Sequence, residues 1–230
     1  ADGNFKLGVD VLKRIAIRDN IKNDFSVWEE YVIKDGDKPE NMAHKLYGIP
    51  TLHWVILLMN DIINPFWEWP MTTHELERYV DRKYKGQAFF VNTDNMEGYS
   101  FKKDDTLTQE GKTAKVVEWD HSLFKLVVTD VSSPFSVNKE LTSGTNIVTA
   151  KRIVLQNKSA LHHFEDSNKM TLNPYENISG YVSGSNSNVI SNIDYEYTTN
   201  DNKRNIRLLQ PNFLKPLLRE MNTVLKRERR

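Results

Sequence analysis

His162 and His163, followed at once by Glu165 and Asp166, are the densest group of metal-capable side chains in the sequence. Imidazoles and carboxylates together could hold a divalent ion. On an extended segment, however, adjacent side chains point to opposite faces, so at most one of the two imidazoles can join a given acid, and no metal site is expected. His44, His53, His74 and His121 are scattered, which predicts ordinary solvated or core-edge histidines. Carboxylates are plentiful but show no recognisable spacing; a glycosidase pair, which meets only in the fold, stays open. The sequence holds no glycine-rich phosphate loop, nucleophile elbow, metalloprotease helix or kinase set, so no enzymatic activity and no cofactor is expected.

A second kind of chemistry is stacking. Trp54, Trp67 and Trp69, with Phe66 and Tyr47, could pack a core, anchor a protein interface or stack on sugar rings. The first two uses come before the third, because Trp54 falls within a helical stripe while Trp67 and Trp69 alternate across an extended segment. A third is charge. From Lys203 to the end there are nine basic residues against Glu220 and Glu228, a balance of about +7. Such a helix could track phosphates, but cations suit a helix C-terminus unaided, and a solvated end or an acidic protein partner is the simpler reading. Over the whole chain 31 basic residues balance 31 acidic ones, which gives no electrostatic case for nucleic acid or anionic lipid. Cysteine is absent, so disulfides and thiolate metal sites are excluded. The longest apolar run, Trp54 to Met59, is far short of the roughly twenty residues a membrane span needs, and no signal-peptide pattern opens the sequence.

The elements that must position these residues follow from periodicity. Val11, Leu12 and Ile15 predict a short amphipathic helix, and the segment from Trp28 to Ile33 a strand ending at the turn Asp35-Gly36-Asp37. Pro39 suits the first position of a helix whose Met42, Ala43, Leu46 and Tyr47 share a face, and Gly48 supplies a left-handed stop. Pro50 and Thr51 open a second helix carrying Leu52, Val55, Ile56 and Met59. After Asn64-Pro65 and a rigid aromatic connection, Thr72 and Glu75 form a capping box for a third helix, closed by Gly86. From Gln87 to about Phe164 short alternating runs predict a small β-barrel or sandwich, most clearly in a hairpin joining Ala114–Trp119 to Phe124–Val128. A mobile Gly/Ser/Asn-rich loop is expected between Ser179 and Ser191. Ile193, Tyr195 and Tyr197 alternate with polar residues and predict a second hairpin with Asn205–Leu209; Leu214, Leu217, Leu218, Met221 and Leu225 predict a final helix opening near Pro216. The fold class is α+β, in segments 1–86, 87–150 and 151–230.

From Tyr31 to Pro65 these features resemble a LysM module: Tyr31-Val32-Ile33, Gly36-Asp37, Leu46-Tyr47-Gly48, a second helix ending in Asn60, then Asn64-Pro65. Trp67-Glu68-Trp69-Pro70 stands where the closing strand of a LysM module belongs, which predicts an incomplete two-stranded sheet. The resemblance implies a vestigial glycan groove between Asp35, Gly36, Asp37, Lys38 and Gly48, Ile49, Pro50, Thr51, with Lys38-Pro39 replacing the usual threonine-plus-apolar pair.

The wider text, with Ala160-Leu161-His162-His163-Phe164-Glu165-Asp166 and Asn200 to Leu209, resembles the baseplate wedge subunit of T-even-like contractile phages. That family implies a non-catalytic virion protein of the tail baseplate, assembled in the host cytoplasm, which clamps neighbouring wedges around the tail hub. Its partners would be other wedge proteins and neighbouring wedges, with no small-molecule substrate, nucleic acid or membrane. Trp67, Trp69, Arg219 and Leu225 are the expected interface anchors, because aromatic and arginine side chains dominate binding hot spots. The competing reading is a peptidoglycan-binding or peptidoglycan-cleaving tail component.

Overall fold

The computed structural model describes residues 17, 19–22, 24–91, 100–166, 168–172 and 188–227, with side chains followed as far as residue 223. The helix expected at Val11, Leu12 and Ile15, most of the Ser179–Ser191 stretch and the side chain of Leu225 lie outside the described residues. By chain position the molecule divides into two compact units, residues 1–73 with 200–230, and residues 74–199. The second is thus inserted into the first, and the division does not follow the three consecutive segments expected from the sequence.

In the first unit β1 (Trp28–Val32) leads into α2 (Pro39–Tyr47), after the short α1 (Asp19–Lys22). Pro39 occupies the first turn, where its missing N–H costs nothing, and Gly48 ends the helix at φ 75 with its N–H donating to His44 O at 3.0 Å. A 3-10 turn, Pro50–Leu52, then gives way to α3 (His53–Met59). Met42 and Ala43 of α2 and Ile56 of α3 are buried together, as the helical spacing of their apolar residues requires.

The strand that closes the sheet is β11 (Asn205–Leu209), antiparallel to β1 from Trp28↔Leu209 to Val32↔Asn205. The expectation of an incomplete sheet is therefore overturned: its second strand arrives after the whole inserted unit. Both faces of this ribbon are used, in the period of two a strand imposes. Ile206 and Leu208 pack with Ile33, Met42, Ala43, Ile56 and Trp69, while Leu209 packs with Trp28, Val55 and Met59. Leu214 and Leu217 of α7 (Pro211–Arg227) cover this second core. That helix opens at Pro211, and Pro216 lies inside it, contrary to the expected start. Residues 212 and 216 are exposed, so the carbonyl that loses its partner to Pro216 can turn to water.

In the second unit α5 (Thr73–Lys83) precedes β2 (Gln87–Val91), β3 (Thr106–Gln109), β4 (Lys112–Asp120), β5 (Lys125–Thr129), β6 (Glu140–Ser143) and β7 (Asn146–Val154). The six strands close a barrel in the order β2-β5-β4-β3-β6-β7. Phe89, Leu107, Val116, Leu126, Val128, Leu141 and Ala150, all fully buried, fill it with side chains. The β4–β5 turn is held by Asp120, whose Oδ1 accepts from Ser122 N, Ser122 Oγ and Leu123 N. Of the expected strand at Tyr99–Phe101, Tyr99 lies outside the described residues, while Ser100 and Phe101 are loop, with the Phe101 ring in the barrel core.

A three-stranded sheet, β10-β8-β9, follows from β8 (Leu161–Glu165), β9 (Thr171–Leu172) and β10 (Asn188–Ser191). The expected second hairpin is replaced by α6 (Asn192–Asn202), because the side this helix buries is polar. Asn192, Glu196 and Asn200 recur every fourth residue and are 2%, 7% and 3% exposed. Ser191 starts the helix, its Oγ accepting from Asp194 N at 3.3 Å.

Gly86 joins α5 to the barrel at φ 89, and a Cβ there would stand 2.2 Å from Val128 O. Gly86→Ala meets both the disfavoured left-handed backbone and that carbonyl, and is expected to destabilise the barrel by about 2 kcal/mol or more. A urea midpoint equal to that of the parent chain would show that β5 can move aside.

Candidate functional site

The turn after β1 spends its polar groups on itself. Asp37 accepts from Tyr31 OH at 2.8 Å and Lys34 N at 3.1 Å, and Lys45 Nζ lies 3.5 Å away. Partial burial pushes this carboxyl up, but those donors outweigh it and hold it below the usual aspartate range. Asp35 accepts from Thr73 N at 2.9 Å, and Gly36 adopts φ 84 between them. Lys38, Gly48, Ile49, Pro50 and Thr51 are exposed. The two halves of the expected groove flank α2, whose nine residues put roughly 13 Å between its ends.

What lies against the Asp35–Lys38 turn is Trp69. Its Nε1 donates to Asp37 O at 3.0 Å, and its ring is 9% exposed among Ile33, Met42, Ala43, Ile56, Ile206 and Leu208. Trp69 is thus a core residue, and its expected role as an interface anchor is corrected. The physical reason is local. Asn64-Pro65 starts a helical turn, α4 (Pro65–Glu68), in place of the extended segment expected, and Trp69 follows its end and folds back under it.

That turn is braced from both ends. Asn64 Oδ1 accepts from Phe66 N at 3.1 Å, while Glu68 Oε2 accepts from Ile63 N at 2.6 Å and Asn64 N at 3.2 Å. Lys203 Nζ donates to Trp67 O at 2.8 Å. Held on this base, Phe66 is 88% exposed, Trp67 65% and Ile63 64%, three exposed apolar side chains within five residues. Arg219 is exposed on α7. Trp54 packs in the core of Trp28, Val55 and Met59, and Tyr47 OH donates to Leu209 O at 3.0 Å. Burial, and after it the charge of Glu29, raises the Tyr47 hydroxyl far above its ordinary value, so it stays a donor.

Sequence reasoning missed two asparagines. Asn60 donates to Ile56 O and Arg207 O, both at 2.8 Å, and accepts from Arg207 N at 2.7 Å, pairing with β11 as a further strand residue would. Asn200 does the same to Met71. The signal for Asn60 is its position at the end of an apolar helix; nothing local marks Asn200. Among the described residues no three metal-capable side chains converge, and no helix is long and apolar enough to cross a membrane.

Residues 14–103, which include β1, α2, α3 and the braced turn, match the family described as base plate wedge protein 53. Over 55 residues the chain is 36% identical to the baseplate wedge protein gp53 of Enterobacteria phage T4. That stretch is 24% of this chain and 28% of the relative, so the likeness spans little more than a quarter of the relative's length. Through its 14–103 segment the chain is similar to the base plate wedge protein 53 family, and it resembles a baseplate wedge subunit of T4-like phages.

Proposed function

We propose that this chain is a structural, non-enzymatic protein of a phage tail baseplate wedge, connecting neighbouring wedge subunits around the tail hub during assembly. The observation that carries the reading is the aromatic pair Phe66 and Trp67, exposed on a rigid turn inside the segment that matches the wedge family. A side chain as large as tryptophan, held out by fixed backbone, loses little freedom when a partner covers it. The partners are other wedge proteins and neighbouring wedges; the place is the virion's tail baseplate, reached from the host cytoplasm where tails assemble.

A LysM-like reading of the first unit is supported by its order, strand, helix, helix and antiparallel strand, with the second unit inserted before the closing strand. This reading does not extend to glycan recognition, because Asp37 is engaged by its own turn.

The test is the double substitution Phe66→Ala, Trp67→Ala. Incorporation into tails should fall by about thirtyfold or more, the loss of one hot spot, while the melting temperature stays within about 2 °C of the parent. Tails that fill normally with the variant would overturn the placement of the interface. Electron cryomicroscopy of the parent particle should show this chain bridging adjacent wedges. Its absence from intact tails, together with saturable binding of chitin oligomers at millimolar concentration or tighter, would favour the peptidoglycan-binding reading.

A further inference from the structure

The rings of His162 and His163, though consecutive on β8, meet with their Nδ1 atoms 2.8 Å apart, and His163 Nε2 lies 3.0 Å from Glu165 Oε1. Tyr195 of α6 stacks on His162, ring centres 3.9 Å apart and planes 11° from parallel, and takes the edge of His163 at 5.9 Å. With both imidazoles neutral and Glu165 ionised, only one proton arrangement satisfies every contact. Glu165 accepts from His163 Nε2–H, which leaves His163 Nδ1 as a lone pair; that lone pair accepts from His162 Nδ1–H; His162 Nε2 is then bare.

Proton uptake is therefore unequal at the two rings. A first proton enters at His162 Nε2. It leaves the Nδ1–H···Nδ1 bond in place and adds one positive charge opposite the Glu165 carboxylate. A second has only the His163 Nδ1 lone pair to occupy, and two N–H groups would then face each other at 2.8 Å. The bond must break, and His162 must swing from the Tyr195 face. We propose that His162, His163 and Glu165 form a proton-operated clasp between β8 and α6, closed with up to one added proton on the two rings and opened by the second.

The surrounding charges set where this happens. From β5 comes Lys125, whose Nζ reaches Leu161 O at 3.4 Å; from the end of α5 and the turn after it come Lys83 and Tyr84, both donating to Glu196; from α6 come Tyr195 and Glu196. The β-sheet neighbours are Ile190, opposite His163, and Asn188 and Thr171, opposite Glu165 on its two sides, none of which titrates. Burial first, then His163, Lys125 and, more weakly, Lys83 hold His162 below the usual histidine range, against Glu196. A histidine depressed in the fold contributes stability that is present above its unfolded value of 6.5 and is lost as pH falls through its folded value. That first proton leaves the clasp closed; acid opens it by adding the second, for which only the His163 Nδ1 lone pair remains.

The experiment is a pH titration of the full chain carrying nitrogen-15 histidine, read by long-range proton–nitrogen correlation, with amide hydrogen exchange over residues 192–199 in parallel. At pH 8 His162 should be the Nδ1–H tautomer and His163 the Nε2–H tautomer. On acidification the rings should titrate in steps separated by more than about one pH unit, with exchange rising about tenfold or more at the second. His163→Asn keeps an acceptor where Nδ1 stood but cannot be protonated. It should leave exchange at pH 8 within about twofold of the parent and abolish the acid response. An Nε2–H tautomer at His162, independent titration of the two rings, or an acid response that survives His163→Asn would each overturn the clasp. The tautomer is read in the unaltered chain, so the result does not depend on the variant folding.

Discussion

Trp69→Ala should destabilise the first unit by about 3–5 kcal/mol, as removal of a large buried aromatic does, whereas Trp67→Ala, two residues away, should leave the melting temperature almost unchanged. The indole of Trp69 does two things at once. It fills space between the sheet residues Ile206 and Leu208 and the helix residues Met42 and Ile56, and its Nε1–H satisfies the carbonyl of Asp37. Alanine removes the packing and strips the turn of a hydrogen bond worth about 1 kcal/mol. Trp67 touches the fold through its backbone, whose carbonyl accepts from Lys203, and alanine keeps that bond. The measurement is urea denaturation followed by a probe within residues 1–73. Equal losses for the two variants would mean that both indoles are core and would remove the basis for placing an interface at Phe66 and Trp67.

That contrast marks the boundary of what was legible in the sequence. The start and stop of α2 could be read because Pro39 and Gly48 act within one turn of themselves. The β4–β5 hairpin could be read because its alternation and its Asp120 turn are contiguous. Trp67 and Trp69 could not be separated, since an alternating aromatic pair looks extended until Asn64 and Glu68 are known to close a helical turn around it. The pairing of β1 with β11 was beyond reach for a different reason. The strands are far apart in sequence, as the bond from Arg204 to Ile33 across 171 positions illustrates, and neither strand carries a mark of its partner.

Polarity inside the fold accounts for the other losses. β3 and β6 each place one leucine and one polar residue inward, Leu107 with Gln109 and Leu141 with Ser143, so their apolar signal is a single residue. Gln109 is tolerated there because its amide exchanges two hydrogen bonds with the backbone of Ser136, at 2.9 and 2.6 Å. α6 is the same effect at full length. Its apolar residues gave a false period of two, while the residues it buries, Asn192, Glu196 and Asn200, are the type that hydrophobic patterning discards. Glu196 accepts from Lys83 and Tyr84 at 2.6 and 2.7 Å, and burial, followed by the bond to Glu196 and its charge, raises the Tyr84 hydroxyl well above its ordinary value.

Asn200→Leu should cost about 2–4 kcal/mol, because each backbone group of Met71 left without its partner carries a penalty of about 1–3 kcal/mol, lessened by the partial exposure of Met71. Asn200 is 3% exposed; its Oδ1 accepts from Met71 N at 2.8 Å and its Nδ2 donates to Met71 O at 3.1 Å. The amide thus ties the chain leaving the first unit to the chain returning to it, at residues next to both ends of the insertion. Leucine branches at the same carbon and is no smaller, so the loss reports missing hydrogen bonds and not a cavity. Asn200→Asp sharpens the test. An ionised carboxylate can still accept from Met71 N but sets a charge against Met71 O, whereas a protonated carboxyl reproduces both halves of the amide's pattern. The introduced group should therefore have a folded pKa raised above about 3.9, the ordinary aspartate value. Its stabilising share is present below that value and lost as pH rises through the folded one. The variant should approach the parent's stability near pH 4 and fall behind it at pH 7. A deficit that does not change between those two pH values would show that Asn200 fills space and does not serve as the tie between Met71 and the end of α6.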